Sequence, residues 1–73
     1  MKCLTNSFGD KFWFVGLDLH REDGLAIEFV GGGGDFYLNN KWLDPKKVID
    51  DPEINLKYPK LIESMIIYLI HEV

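Results

Sequence analysis

The sequence predicts an α+β fold: an antiparallel β-meander of three to four strands, then a short helix and a C-terminal helix packed on the sheet. In residues 1–43, aromatic and β-branched residues alternate between turn-forming glycines and asparagines, as in strands. In residues 44–73, two Asp-Pro pairs precede apolar residues at helical spacing. At 73 residues the chain is expected to be a single small domain with a strand-rich half and a helical half.

Four segments of the first half are predicted to be strands. They are residues 2–7, 11–20, 25–30 and 35–39, and an extension of the last to Trp42 is left open. The Asp-Gly pair that ends residues 20–24 predicts a hairpin loop, because this pair tolerates the positive φ of a tight reversal. Short connections favour neighbouring strands, so the expected topology is a meander.

Alternation along the second strand predicts that both of its faces are apolar. One face carries Phe12 and Phe14, and the other carries Trp13, Val15, Leu17 and Leu19. One helix layer covers one face of a sheet. The remaining face therefore predicts self-association or a permanent partner.

The second half contains helix signals. An Asp-Pro pair at residues 44–45 predicts a helix N-terminus followed by a short helix over residues 46–50. A second Asp-Pro pair at residues 51–52 is expected to end that helix, with a loop up to about residue 57. Proline at position 59 then opens a C-terminal helix that is predicted to reach His71.

The C-terminal helix is too apolar for a helix that lies on a sheet alone. Most of its apolar side chains within residues 61–73 spread over an arc of about 200°, whereas one packed side needs little more than about 100°. The excess predicts contact with the short helix or with a second subunit. We expect a homodimer whose interface includes Ile66, Ile67 and Ile70.

Composition and charge exclude several classes of protein. An apolar fraction of 47% supports a folded core, and a net charge of −4 argues against a nucleic-acid partner. The most apolar stretch, residues 61–70, is too short for a membrane span, and no signal-peptide pattern occurs. The single cysteine, Cys3, forms no internal disulfide, so a cytoplasmic protein is expected.

No segment carries a catalytic or metal-binding motif. The acidic run in residues 18–23 lacks the oxygen-ligand spacing of a calcium loop. His20 and His71 have no serine or cysteine nucleophile beside them in sequence. We therefore expect a protein that is not an enzyme and that uses no cofactor or metal.

The glycine run is followed by Asp35 and a strand pattern, whereas phosphate-binding loops are followed by a helix. It is predicted to be a flexible loop made of Gly31, Gly32, Gly33 and Gly34.

The leading functional prediction is a protein-binding module such as an inhibitor, an immunity-type protein or an adaptor, which acts by occluding a partner protein of unknown identity. Aromatic residues anchor protein interfaces well, and acidic groups attract basic partners. The candidate contact residues are Trp42, Tyr37, Asp50, Asp51 and Glu53. The alternative is a binder of small ligands or single-stranded nucleic acid that uses the sheet face and the glycine loop. No motif is specific enough to indicate a family.

Overall fold

A computed structural model describes residues 1–71, and the last two residues of the predicted helical half lie outside the described residues. The α+β class is confirmed: an antiparallel sheet precedes three helices, of which the last is the longest. The strands are β1 (Lys2–Thr5), β2 (Lys11–Val15), β3 (Asp18–Leu19), β4 (Ile27–Glu28), β5 (Gly34–Leu38) and β6 (Lys41–Leu43). The helices are α1 (Pro45–Val48), α2 (Pro52–Lys57) and α3 (Pro59–His71).

The sheet has the order β1-β2-β4-β5-β6, and β3 pairs with β2 beside β4. The backbone of Trp13 bonds to two residues on that side, accepting from His20 N and donating to the carbonyl of Ala26. Strands β3 and β4 therefore lie one after the other along the same side of β2, and we count them as one strand position. Residues 21–25, which lie between them in sequence, bulge out of the sheet. The result is a meander of five strand positions, with β1 and β6 at the edges.

The predicted second strand, residues 11–20, is wrong in its second half. The chain reverses at Gly16, whose φ of 62° suits the first central position of a two-residue hairpin turn. Leu17 consequently lies in the turn with 95% of its surface exposed, and not beside Trp13. Leu19 pairs with Phe14, so it lies on the opposite face from the one predicted. The predicted hairpin loop over residues 20–24 lies largely in the bulge.

A second tight turn separates β5 from β6. Asn39 and Asn40 have φ values of 50° and 67°, the left-handed conformation that a two-residue type I′ hairpin requires at both central positions. Asparagine tolerates this region better than most residues. The fourth predicted strand therefore does not extend to Trp42. The chain reverses at Asn39 and Asn40, and Trp42 lies on β6, where it pairs with Tyr37 of β5.

Both Asp-Pro pairs start helices. Asp44 caps α1 by accepting from Lys46 N at 3.1 Å, and the helix is one turn long. Asp51 caps α2 in the same way, where the sequence predicted a loop. Asp-Pro supplies an N-cap and a pre-set φ at the first helical position, so the second pair begins a helix as well as ending the previous one. Helix α3 has the predicted bounds.

The core lies between α3 and one face of β5 and β6. We call this side of the sheet the covered face. Phe36 is 1% exposed and contacts the Tyr68 ring edge-on, with 5.5 Å between the ring centroids. The buried cluster consists of Phe36, Leu38, Leu43, Leu61, Ile62 and Met65. Partly buried residues of α1 and α2 pack against its margin.

Substitution at Asn39 tests the β5–β6 turn. We expect Asn39→Val to lower the free energy of unfolding by about 1–2 kcal/mol, because a β-branched residue is strained at positive φ. Asn39→Gly is the control and should change it by less than about 0.5 kcal/mol. Urea unfolding measures both variants. Equal decreases in the free energy of unfolding would mean that the positive φ at residue 39 does not affect stability.

Two glycines of the predicted loop have different surroundings. A Cβ on Gly34 would collide with the carbonyl oxygen of Ile27 on the paired strand, whereas a Cβ on Gly31 meets nothing within 4 Å. We expect Gly34→Ala to lower the free energy of unfolding by more than about 2 kcal/mol and Gly31→Ala to change it by less than about 0.5 kcal/mol. Thermal and urea unfolding of the two variants provide the comparison.

Candidate protein-binding face

The side of the sheet that faces away from α3 is apolar across all five strand positions. We call it the open face. Directly paired residues on antiparallel strands share a face, and successive residues alternate between faces. The register therefore places these residues on the side opposite Phe36 and Leu38. The apolar ones are Leu4, Phe12, Phe14, Leu19, Ile27, Tyr37 and Trp42.

The open face is incompletely covered. None of its seven apolar residues reaches the buried class, and Leu4 and Trp42 are 46% and 52% exposed. Leu38 and Leu43, which face α3, are buried. The molecule is correspondingly thin, with extents of 37, 31 and 16 Å. Contiguous exposed apolar surface is a feature of interaction sites.

Trp42 is the most prominent aromatic residue of the open face. Its indole Nε1 donates to Asp35 Oδ1 at 3.2 Å, which orients the ring over the same face. A cavity of about 250 Å³ beside it is also lined by Asp44 and Lys46. Tyr37, the directly paired neighbour of Trp42, is partly buried. The structure thus brings together Trp42 and Tyr37, the two predicted aromatic contact residues.

The opposite end of the open face has a shallow depression. It has a volume of about 200 Å³ and lies at the edge strand β1, opposite the edge that carries Trp42. Its lining residues are Lys2, Leu4, Phe14, Gly16 and Leu17. Lys2 and Asp35 are the charged strand residues on this face within the described chain. They have opposite signs and lie near opposite edges.

The bulge of residues 21–25 is held by Arg21. Its guanidinium carbon lies 4.1 Å from the ring centroid of Trp13 on the covered face. The same group donates to Asp23 Oδ1 at 2.9 Å, to the carbonyl of Leu25 at 3.0 Å and to Glu28 Oε1 at 3.3 Å. These contacts give the charged residues of this segment a structural role.

His20 joins the bulge to the β5–β6 turn. Its Nδ1 accepts from Asn39 N at 2.9 Å, so the ring proton is on Nε2, which donates to Glu22 Oε2 at 2.8 Å. Both ring nitrogens of this buried histidine are therefore already hydrogen-bonded. Within residues 1–71, no three His, Cys, Asp or Glu side chains are grouped as metal ligands would be.

The predicted acidic contact residues lie outside the strands that form the open face: Asp50 and Asp51 in the connection between α1 and α2, and Glu53 in the first turn of α2. Asp51 Oδ1 accepts from Glu53 N and Ile54 N as the cap of α2, so its carboxylate is already engaged. Glu53 lies 3.9 Å from Lys57 Nζ, and Asp50 is exposed. The structure thus does not gather these acidic residues with Trp42 and Tyr37 into one site.

The predicted dimer-interface residues lie on the outer side of α3. Ile66, Ile67 and Ile70 are about half exposed or more, and Ile67 also lines a cavity of about 290 Å³ beside Arg21 and Leu25. Their role as an interface stays a prediction.

The predicted flexible loop forms a closed turn. Gly33 O accepts from Phe29 N at 3.0 Å, and Gly32 N donates to Phe29 O at 2.9 Å. Gly32 and Gly33 have positive φ, whereas Gly34 already belongs to β5. The flexibility of this loop stays a prediction.

Sequence analysis did not select Leu4, Leu19 or Ile27 as parts of a site. Each lies on an apolar strand, but their common surface depends on how four strands are aligned. The sequence did indicate part of this surface, because Phe12 and Phe14 were predicted to share an apolar face of the second strand.

Comparison of the chain with protein-family models, with curated proteins and with solved structures finds no match. None of the helices within residues 1–71 combines the length and apolar character that crossing a membrane requires.

Replacement of Arg21 tests what holds the bulge. We expect Arg21→Lys to lower the free energy of unfolding by about 1–2 kcal/mol. The planar guanidinium of Arg21 stacks on Trp13 and donates to three acceptors at once, which the compact ammonium group of a lysine cannot do. Lys41→Ala, at an exposed position, is the control and should change it little. If the midpoint of urea unfolding is unchanged for Arg21→Lys, a positive charge alone is sufficient to hold the bulge.

Proposed function

We propose that this protein is a non-enzymatic protein-binding module that docks on a protein through the open face. The observation that carries the proposal is the open face itself: seven apolar side chains on five strand positions, none of them buried. Covering such a surface removes apolar area from water, which is the main driving force of protein association. Trp42 and Tyr37 are the proposed anchors.

The shape and charge of the open face favour a protein over the alternative ligands. Its depression of about 200 Å³ is smaller than the roughly 300–1,000 Å³ of typical small-molecule sites. Lys2 is its one strand cation within residues 1–71, whereas surfaces that bind single strands have several basic groups along the phosphate path. A broad, shallow apolar surface with few charges suits a protein interface.

A module of this kind acts by occlusion, as inhibitors, immunity-type proteins and adaptors do. Two residues with catalytic potential have structural bonds instead: His20 uses both ring nitrogens, and Arg21 holds the bulge. The lone exposed thiol of Cys3 suits a reducing compartment, so we place this binding in the cytoplasm.

The experiment is an affinity capture that compares variants. The tagged wild-type chain and tagged Trp42→Ala are each incubated, after nuclease treatment, with lysate of the source cells that also contains an untagged copy of the chain. We expect wild type to retain one protein in stoichiometric amount, and Trp42→Ala to retain at least about tenfold less, because an exposed aromatic anchor contributes strongly to binding.

The control is Leu56→Ser, which changes an exposed apolar residue of α2 that lies outside the open face. It should retain the same protein as wild type. Equal retention by Trp42→Ala and wild type, or retention of a small molecule or nucleic acid in place of a protein, would contradict the proposed function. Circular dichroism of each variant establishes that the fold is intact.

A further inference from the structure

We infer that the protein docked on the open face is a second copy of this chain, packed face to face in a two-fold symmetric dimer. This inference rests on the proposed function and names the partner for the same surface. It depends on three properties of the open face: complementary edges, complementary charges and an area larger than that of the outer side of α3.

The two edges of the open face have complementary shapes. Trp42 stands on the edge strand β6 and is 52% exposed, with its ring oriented by Asp35. The depression of about 200 Å³ beside Leu4 lies at the other edge strand, β1. One edge thus carries a large exposed side chain, and the other edge carries a depression that is lined mainly by apolar residues.

In the proposed dimer the open faces of two copies meet, and the two-fold axis lies between the sheets and runs parallel to the strands. This axis places one edge of each sheet opposite the other edge of the partner sheet. Strand β1 of one copy then lies over β5 and β6 of the other, and the same contact occurs twice, as two-fold symmetry requires. Trp42 enters the depression beside Leu4 of its partner. Packed sheets lie about 10 Å apart, a separation that interdigitating side chains fill.

The same arrangement pairs the charges of the open face. Lys2 lines the depression, and Asp35 lies beside Trp42. When Trp42 of one copy occupies the depression of the other, Lys2 lies next to an indole ring and a carboxylate. A lysine ammonium is attracted to both groups. A purely apolar partner would leave Lys2 and Asp35 without this compensation.

The open face is larger than the outer side of α3. Its five strand positions span about 24 Å and its longest strands, of five residues, about 17 Å, which gives a surface on the order of 400 Å². The outer side of α3, with 13 residues, is about 20 Å long and 10 Å wide, or about 200 Å². The open face is therefore favoured over the isoleucines of α3.

Intermolecular contacts in solution test the inference directly. Within one chain, β1 and β6 are separated by four strand spacings, or about 19 Å, which is beyond the range of a nuclear Overhauser effect. In a mixed sample of labelled and unlabelled chains, we expect isotope-filtered spectra to show an effect between the Leu4 methyl groups and the Trp42 indole. Light scattering should give twice the chain mass of 8.5 kDa.

Variants identify the surface that is used. We expect Trp42→Ala and Lys2→Glu to raise the dimer dissociation constant by at least about tenfold and threefold, respectively. Ile67→Ser on α3 is the matched control and should leave the dissociation constant unchanged. Circular dichroism and urea unfolding separate loss of the dimer from loss of the fold.

Three outcomes would overturn the inference. They are a monomer at all concentrations, a dimer that Ile67→Ser disrupts and Trp42→Ala does not, and a dimer without contact between Leu4 and Trp42. A monomer that still captures another protein through Trp42 would overturn the second copy as partner but leave the proposed function standing. A monomer whose Trp42→Ala variant captures as much as wild type would overturn both.

Discussion

One helix cannot cover this sheet, and the rest of the structure follows from that constraint. Helix α3 has 13 residues, so it is about 20 Å long, and it packs on the covered face of β5 and β6. Helices α1 and α2 pack against its flank. The buried core is therefore at the β5–β6 end of the sheet, and Phe12, Trp13 and Phe14 on β2 are only partly buried.

The bulge compensates for the missing helix on the covered face. Trp13 lies on β2, and its ring is covered by the guanidinium of Arg21. A hydrogen bond from Arg21 to Glu28 ties the bulge to β4, and one from Asn39 N to His20 Nδ1 ties it to the β5–β6 turn. A polar segment thus protects an aromatic residue on one side of the sheet. Nothing comparable among the described residues covers Phe12 and Phe14 on the other side.

The open face links stability to association. A chain of this size has a small core and contains no disulfide, so a partner that buries additional apolar area stabilises the fold as it binds. Trp42 and the depression beside Leu4 belong to the outermost strands, which have the fewest neighbours. Binding across both edges would therefore stabilise those parts of the sheet that intramolecular packing stabilises least.

The sequence by itself determined the α+β class, the helix start at Asp44, the bounds of α3 and the apolar character of both faces of β2. It did not determine the turns at Gly16 and at Asn39–Asn40, because the apolar alternation in the sequence continues through Gly16 and Leu17 without a break, whereas the two-residue turn moves Leu19 to the face opposite Trp13. Leu17 and Leu19 therefore looked continuous with Trp13. Only the tertiary structure decided that Leu4, Phe12, Ile27 and Trp42 form one surface, because strand register depends on pairing between distant segments.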